Sequence, residues 1–296
     1  MSRFVRDPES LAAKRRKNAA HGASRGSAPE VEPAPKGRKN GDPVNLSGDL
    51  RIIPVAVADE IGPGDSLTEK LLLSLEQLNF AFEPGDILVV KHKIASKAEG
   101  RIVELATIKP SAHSIAWAKK YKLDARVVEL ALRESLAVIR RKNGVLITET
   151  RHGFICANSG VDVSNVNGGS HALLLPADPD RSARKLHREI KKRTALTIPV
   201  LITDTFGRPW REGLVDFCIG IAGMKPMRDD RGRHDSHGYK LNASIEAVAD
   251  ELACAAGLVC GKLNRTPACI IRGFPHEPAP GRTRDLLRPK ANDLFR

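Results

Sequence analysis

Residues 203–213 read TDTFGRPWREG and follow directly on the aliphatic run IPVLI. Asp204 and Thr205 offer hard oxygens suited to Mg2+ or Mn2+. Arg208 and Arg211, in the same stretch, offer bidentate donors for carboxylate or phosphate. A capped strand end would explain the acid and the hydroxyl equally. Function is the stronger reading, because ligands in open α/β sheets gather at the carboxyl ends of strands. A second stretch, KHKIASKAEGR, sets Lys91, Lys93, Lys97 and Arg101 around a small-residue turn, which suits phosphate oxygens or else forms a solvated basic loop. In a third, NSGVDVSNVNGGS, Asp162 and Asn165 stand three residues apart among glycines. They could face one ion or one nucleotide, or form only an Asx-rich turn. Two acids for a divalent metal, a lysine loop and two arginines make a site for anionic chemistry. Phosphoryl transfer needs this set, since metal and cationic side chains neutralise charge on the transferring oxygens; a nucleic-acid enzyme could use it too.

Elements of regular structure must present these three stretches. LRIIPVAVADEIGPGDSLTEKLLLSL reads as strand, turn and helix, with Leu67, Leu71, Leu72 and Leu75 on the helix. GDILVVK reads as a buried strand that leaves through the basic loop. Residues 126–140, RVVELALRESLAVIR, carry apolar residues at helical spacing, and GVLITET and GFICANSG read as strands. A DPD start signal opens a helix over RSARKLHREIKKRT, which feeds the strand IPVLITDT. ASIEAVADELACAAGLVCG places Ile245, Val248, Ala249, Leu252, Ala256 and Val259 on one helical face before a last strand, PACIIRG. Strands and helices alternate without a repeat, so the expected class is α+β, a mixed α/β architecture. Residues 1–46, rich in Ala, Gly, Ser, Pro, Lys and Arg, read as a disordered basic arm ahead of one domain over 47–296.

Composition narrows the function classes. The chain of 296 residues has no apolar stretch near the roughly 20 residues that span a bilayer, so a soluble protein without a membrane partner is expected. Five scattered cysteines without a CxxC pair point to a reduced, cytoplasmic protein lacking a cysteine zinc site. The net charge of +13 implies anionic partners without saying which. Two tryptophans, two tyrosines and eight phenylalanines leave few stacking residues and no binding motif is present, which argues against nucleic acid. Neither GxxxxGK[ST] nor GxGxxG occurs, so any nucleotide is held by a less common arrangement.

Six blocks, DILVVKHKIASKAEGRIVEL, NSGVDVSNV, LLLPADPDRSARKL, ITDTFGRPWREGLVDFCIGIAGM, YKLNASIEAVADELACAAGLV and DLLRPKANDLFR, resemble in collinear order the coenzyme F420:L-glutamate ligase family. The resemblance runs from about Arg51 to the last residue and leaves out the amino-terminal arm. It implies an F420 ligase-like, bilobed and homodimeric fold. It also implies an enzyme that adds L-glutamate, by a γ-glutamyl linkage, to the phospholactate-bearing deazaflavin F420-0, using GTP and Mg2+ or Mn2+. Carried over position by position, the family's metal ligands fall on Asp162, Asp204 and Thr205, and its nucleotide contacts on Lys97 and Asn165. Lys93 belongs to the same phosphate loop, and Arg208 and Arg211 would balance charge on nucleotide, phospholactate or glutamate. Archaeal members carry a metal ligand in a glycine-rich loop where this chain has the shorter CGKLNRTP, with Lys262 at that position. A lysine cannot bind the metal but could meet a phosphate. A related amide ligase with another carboxylate acceptor is the alternative reading.

Overall fold

A computed structural model describes residues 49–57, 59–163, 167–261 and 264–295. The arm expected over residues 1–46, together with Asn165 and Lys262, lies outside these residues. In chain order the elements are β1 (Arg51–Val55), α1 (Leu67–Gln77), β2 (Ile87–Lys91), α2 (His92–Ala98), β3 (Ile102–Glu104), α3 (Ala112–Tyr121), α4 (Ala125–Arg133), β4 (Ser135–Lys142) and β5 (Val145–Thr150). There follow β6 (Ile155–Ala157), β7 (His171–Leu173), α5 (Pro179–Thr194), β8 (Val200–Arg208), β9 (Arg211–Ala222), β10 (Arg228–Asp229), β11 (Ile245–Glu246), α6 (Val248–Cys260) and β12 (Ala268–Arg272).

The main sheet has the order β1-β12-β2-β8-β9, in which β2 and β8 are parallel and every other neighbouring pair is antiparallel. The unbroken aliphatic runs of its central strands follow from burial on both faces, since successive side chains point to opposite sides. Leu88 and Val90 of β2, with Val200 and Ile202 of β8, face a core completed by Leu71 and Leu75 of α1 and Leu186 and Ile190 of α5. Ile87, Val89 and Leu201 face the opposite core, which α6 closes with Ala249, Leu252, Ala253 and Ala256. Each large aliphatic side chain so buried contributes about 1.5–3 kcal/mol relative to exposure. A smaller core of Leu105, Ile108, Leu130, Ala172 and Leu174 holds α4 to the β3–β7 pair. The architecture is therefore mixed α/β.

Local signals explain the helix that precedes β8. Asp178 caps α5 by accepting from Arg181 N at 2.9 Å, and Pro179 occupies its first turn. The start of α5 lies so close to β9 that a Cβ at Gly220 would strike the Pro179 carbonyl, so only glycine admits this packing. Three expectations are corrected. The helix expected over 126–140 ends at Arg133, and Ser135–Lys142 instead pairs with β5 through a turn at Asn143 and Gly144, both at positive φ. The basic loop after β2 is the helix α2. The strand expected over IPVLITDT does not stop at Thr205: β8 continues to Arg208 and returns as β9 in a long hairpin. No described helix is long and apolar enough to cross a membrane.

Candidate functional site

The carboxyl ends of the two parallel strands meet, with Lys91 of β2 in register with Thr203 of β8. Beyond that point β2 passes into α2 and β8 passes into Asp204 and Thr205. β12 runs the other way, so Thr266 and Pro267, just before it, and Cys260 and Gly261, at the end of α6, come to the same edge. A cleft of about 620 Å3 opens there, and Lys93, Lys97, Asp162, Asp204 and Thr205 all line it. Three stretches distant in sequence thus supply one cavity.

Most of its charged groups are paired with one another. Asp204 Oδ1 lies 3.2 Å from Nε2 of the buried His92 and accepts from Thr205 N at 2.7 Å, whereas Asp204 Oδ2 makes no hydrogen bond or ion pair among the described residues. Asp162 is pinned to β7 by backbone hydrogen bonds in both directions with Leu173, and its carboxylate pairs with Lys93 Nζ at 2.6 Å. Lys97 pairs with the exposed Glu60 at the cleft mouth. At the floor, Lys91 pairs with the buried Asp216 of β9, which also accepts from Thr205 Oγ1 at 2.7 Å. Thr203 Oγ1, buried on the cleft wall, has no hydrogen-bond partner among the described residues. Burial pushes the Cys156 thiol up to about 12, and the neighbouring Asp204 carboxylate adds to that effect. This thiol is therefore held in its inert, protonated form.

Arg208 and Arg211 do not line the cleft. They sit at the closed end of the β8–β9 hairpin, where Arg208 Nη1 donates to Gly213 O at 3.1 Å and Arg211 is exposed. They are separated from the other expected site residues because the chain remains a strand after Thr205. Residues absent from the expected site but present at the cleft are His92, Glu60 and Thr203, together with Asp216 beneath it. Asp216 had one visible signal: an acid inside the apolar run LVDFCIGIAG.

Among the described residues, no group of three or more His, Cys, Asp or Glu side chains is arranged to hold a metal. Two carboxylates and a threonine hydroxyl at one cleft nevertheless suit Mg2+, which takes one or two carboxylates and completes its shell with water and substrate phosphates. The residues fit a metal that arrives with a polyphosphate and do not form an all-protein cage.

The family model described as F420-0:Gamma-glutamyl ligase matches residues 56–273. The chain is 43% identical over 250 residues to a protein of Methanothermobacter thermautotrophicus named Coenzyme F420:L-glutamate ligase, covering 83% of this chain and 99% of that one. A protein of the same name from Methanopyrus kandleri is 42% identical over 252 residues, covering 83% and 98%. Another, from Methanocaldococcus jannaschii, is 41% identical over 229 residues, covering 77% and 91%.

Proposed function

Since the chain belongs to the F420-0:gamma-glutamyl ligase family, we propose that it joins L-glutamate to the deazaflavin F420-0 in a GTP-driven ligation supported by Mg2+ or Mn2+. One observation carries the reading: the carboxyl ends of β2 and β8 bring Asp204 and Thr205 into the same cleft as Asp162, Lys93 and Lys97. Asp162, Asp204 and Thr205 would hold the metal, which would supply positive charge against the transferring phosphoryl oxygens. The pairs Lys93–Asp162 and His92–Asp204 then have a clear purpose. Without ligand, Asp162 is neutralised by Lys93, and Asp204 lies against the His92 ring. With metal and polyphosphate bound, the carboxylates would serve the metal and the lysines the phosphates. The cleft would thereby exchange partners without leaving a charge uncompensated.

In the proposed reaction, a carboxylate oxygen of F420-0 attacks the γ-phosphorus of GTP, and GDP leaves. The amine of glutamate then attacks the acyl carbon, forming the amide as inorganic phosphate departs. Lys97 and Lys93 would offset the charge on the phosphoryl oxygens, the former as a point charge on α2. Five free cysteines suit a reducing cytoplasm. The β8–β9 hairpin supports a homodimer. It exposes Trp210 (83%) and Leu214 (56%), and Phe295 lies beside Trp210 with ring centroids 4.7 Å apart, an apolar surface of the kind that marks an interface.

The test is incubation with GTP, Mn2+, L-glutamate and F420-0. A mass gain of one or more glutamyl units on F420-0, dependent on both GTP and metal, is the expected result. GTP turnover without such a product would turn the reading toward an amide ligase with another carboxylate acceptor.

A further inference from the structure

Thr205 and Asp216 face each other across the β8–β9 pair because of one irregularity. Ile202 is in register with Gly220, but Thr203 is in register with Cys218, so β9 spends an extra residue, Ile219, between the two. Without that bulge, Phe217 would stand opposite Thr205. With it, Asp216 does. Both oxygens of this buried carboxylate are engaged: Oδ1 accepts from Thr205 Oγ1 at 2.7 Å, and Oδ2 takes Lys91 Nζ. The main chain of the same residue is held as well, since its carbonyl accepts from Cys254 Sγ at 3.2 Å. Helix α6 passes against it at Gly257, where a Cβ would collide with Asp216 Oδ2.

A threonine hydroxyl has one proton and two lone pairs. With its proton directed to Asp216, Thr205 Oγ1 can offer only lone pairs elsewhere. We infer that Asp216 is a positioning residue of the ligation site: it fixes Thr205 as an acceptor suited to a cation and ties down the Lys91 ammonium at the floor of the cleft. The inference rests on the reading of Thr205 as a metal ligand. Partners that orient a metal ligand typically change affinity by 10–100-fold when lost.

Calorimetric titration of GTP, in Mn2+ and separately in EDTA, separates positioning from general support of the fold. In Asp216→Ala the gain in GTP affinity conferred by Mn2+ should shrink by roughly 10–100-fold, while affinity in EDTA stays within about twofold of wild type. Asp216→Asn, which keeps an acceptor oxygen for Thr205, should lose less than Asp216→Ala. Gly257→Ala, which pushes on the carboxylate from α6, should imitate the loss with Asp216 intact. An equal fall in Mn2+ and in EDTA would make Asp216 structural and overturn the inference. A wild-type response to Mn2+ in Asp216→Ala, alongside its loss in Asp204→Asn, would overturn the inference and leave the metal reading standing. An undiminished response in Asp204→Asn would remove both.

Discussion

Asp204 divides its two oxygens between different tasks. Oδ1 is committed to His92 and to Thr205 N, and Oδ2 is uncommitted among the described residues. An amide in its place would keep the fold, because Oδ1 still accepts, but would bind a hard cation poorly. Asp204→Asn is accordingly expected to lower ligation by about a hundredfold or more, beyond what loss of a merely supporting partner costs, with an unchanged melting curve. Asp162→Asn should act likewise, and the double variant should fall short of the product of the two, since both carboxylates would serve one metal. The test is turnover at saturating Mn2+; a double variant with fully multiplicative loss would separate the two residues. Lys97 gives a second expectation. Lys97→Ala should weaken GTP binding by about 1.5–3 kcal/mol, the range for a hydrogen bond to a charged group. Its present partner, Glu60, competes for the same ammonium. Because exposed pairs are worth at most about 1 kcal/mol, Glu60→Gln should tighten GTP binding by up to roughly fivefold in the same calorimetric measurement. Unchanged affinity in both variants would return Lys97 to a solvated role.

At the scale of the element, most strands and helices were written locally, and the exceptions are instructive. The run 126–140 keeps a helical apolar period past Arg133, yet its last residues belong to a hairpin whose Asn143-Gly144 turn, set between alternating apolar positions, was a local signal that outweighs periodicity. The contact between the start of α3 and α4 carries its own pH dependence. Glu129 of α4 accepts from Ser111 N at 3.0 Å, from Ser114 Oγ at 2.8 Å and from Arg133 Nε at 3.0 Å. The Ser111 backbone hydrogen bond, followed by those of the two serines and Arg133, holds its carboxyl down at about 2. A depressed acid contributes stability that is complete above its ordinary value of 4.5 and is lost as pH falls toward about 2. Glu129→Gln should therefore cost about 1 kcal/mol at pH 7, the difference between charged and neutral acceptors, and almost nothing near pH 2. Urea melts at the two pH values check this; an equal deficit at both would show that packing, not charge, is what Glu129 supplies.

At the scale of the molecule, the closed end of the β8–β9 hairpin, which carries Arg208, Trp210 and Arg211, lies outside the cleft and exposes apolar surface. If it forms the proposed dimer contact, Trp210→Ser combined with Leu214→Ser should raise the dissociation constant by roughly 10²–10⁴, from about 1.5–3 kcal/mol for each buried side chain. Sedimentation equilibrium should then report a monomer where the unaltered chain is a dimer; an unaltered chain that is itself monomeric would end the proposal. The amino-acid sequence by itself determined the aliphatic strands, the capped start of α5, the mixed α/β class and the residue types needed to handle anions, because periodicity and capping act over a dozen residues or fewer. Only the tertiary structure decided which of those residues share a cavity. The parallel register of β2 with β8 brought Lys93 and Lys97 to Asp204 and Thr205, and the pairing of Asp162 with Leu173 brought in the third stretch. The bulge in β9 set Asp216 beneath Thr205 and beside Lys91, 125 residues away along the chain, while continued strand pairing placed Arg208 and Arg211 off the cleft lining. Strand register is chosen by burial on both faces of a sheet at once, and no local stretch of sequence contains both faces.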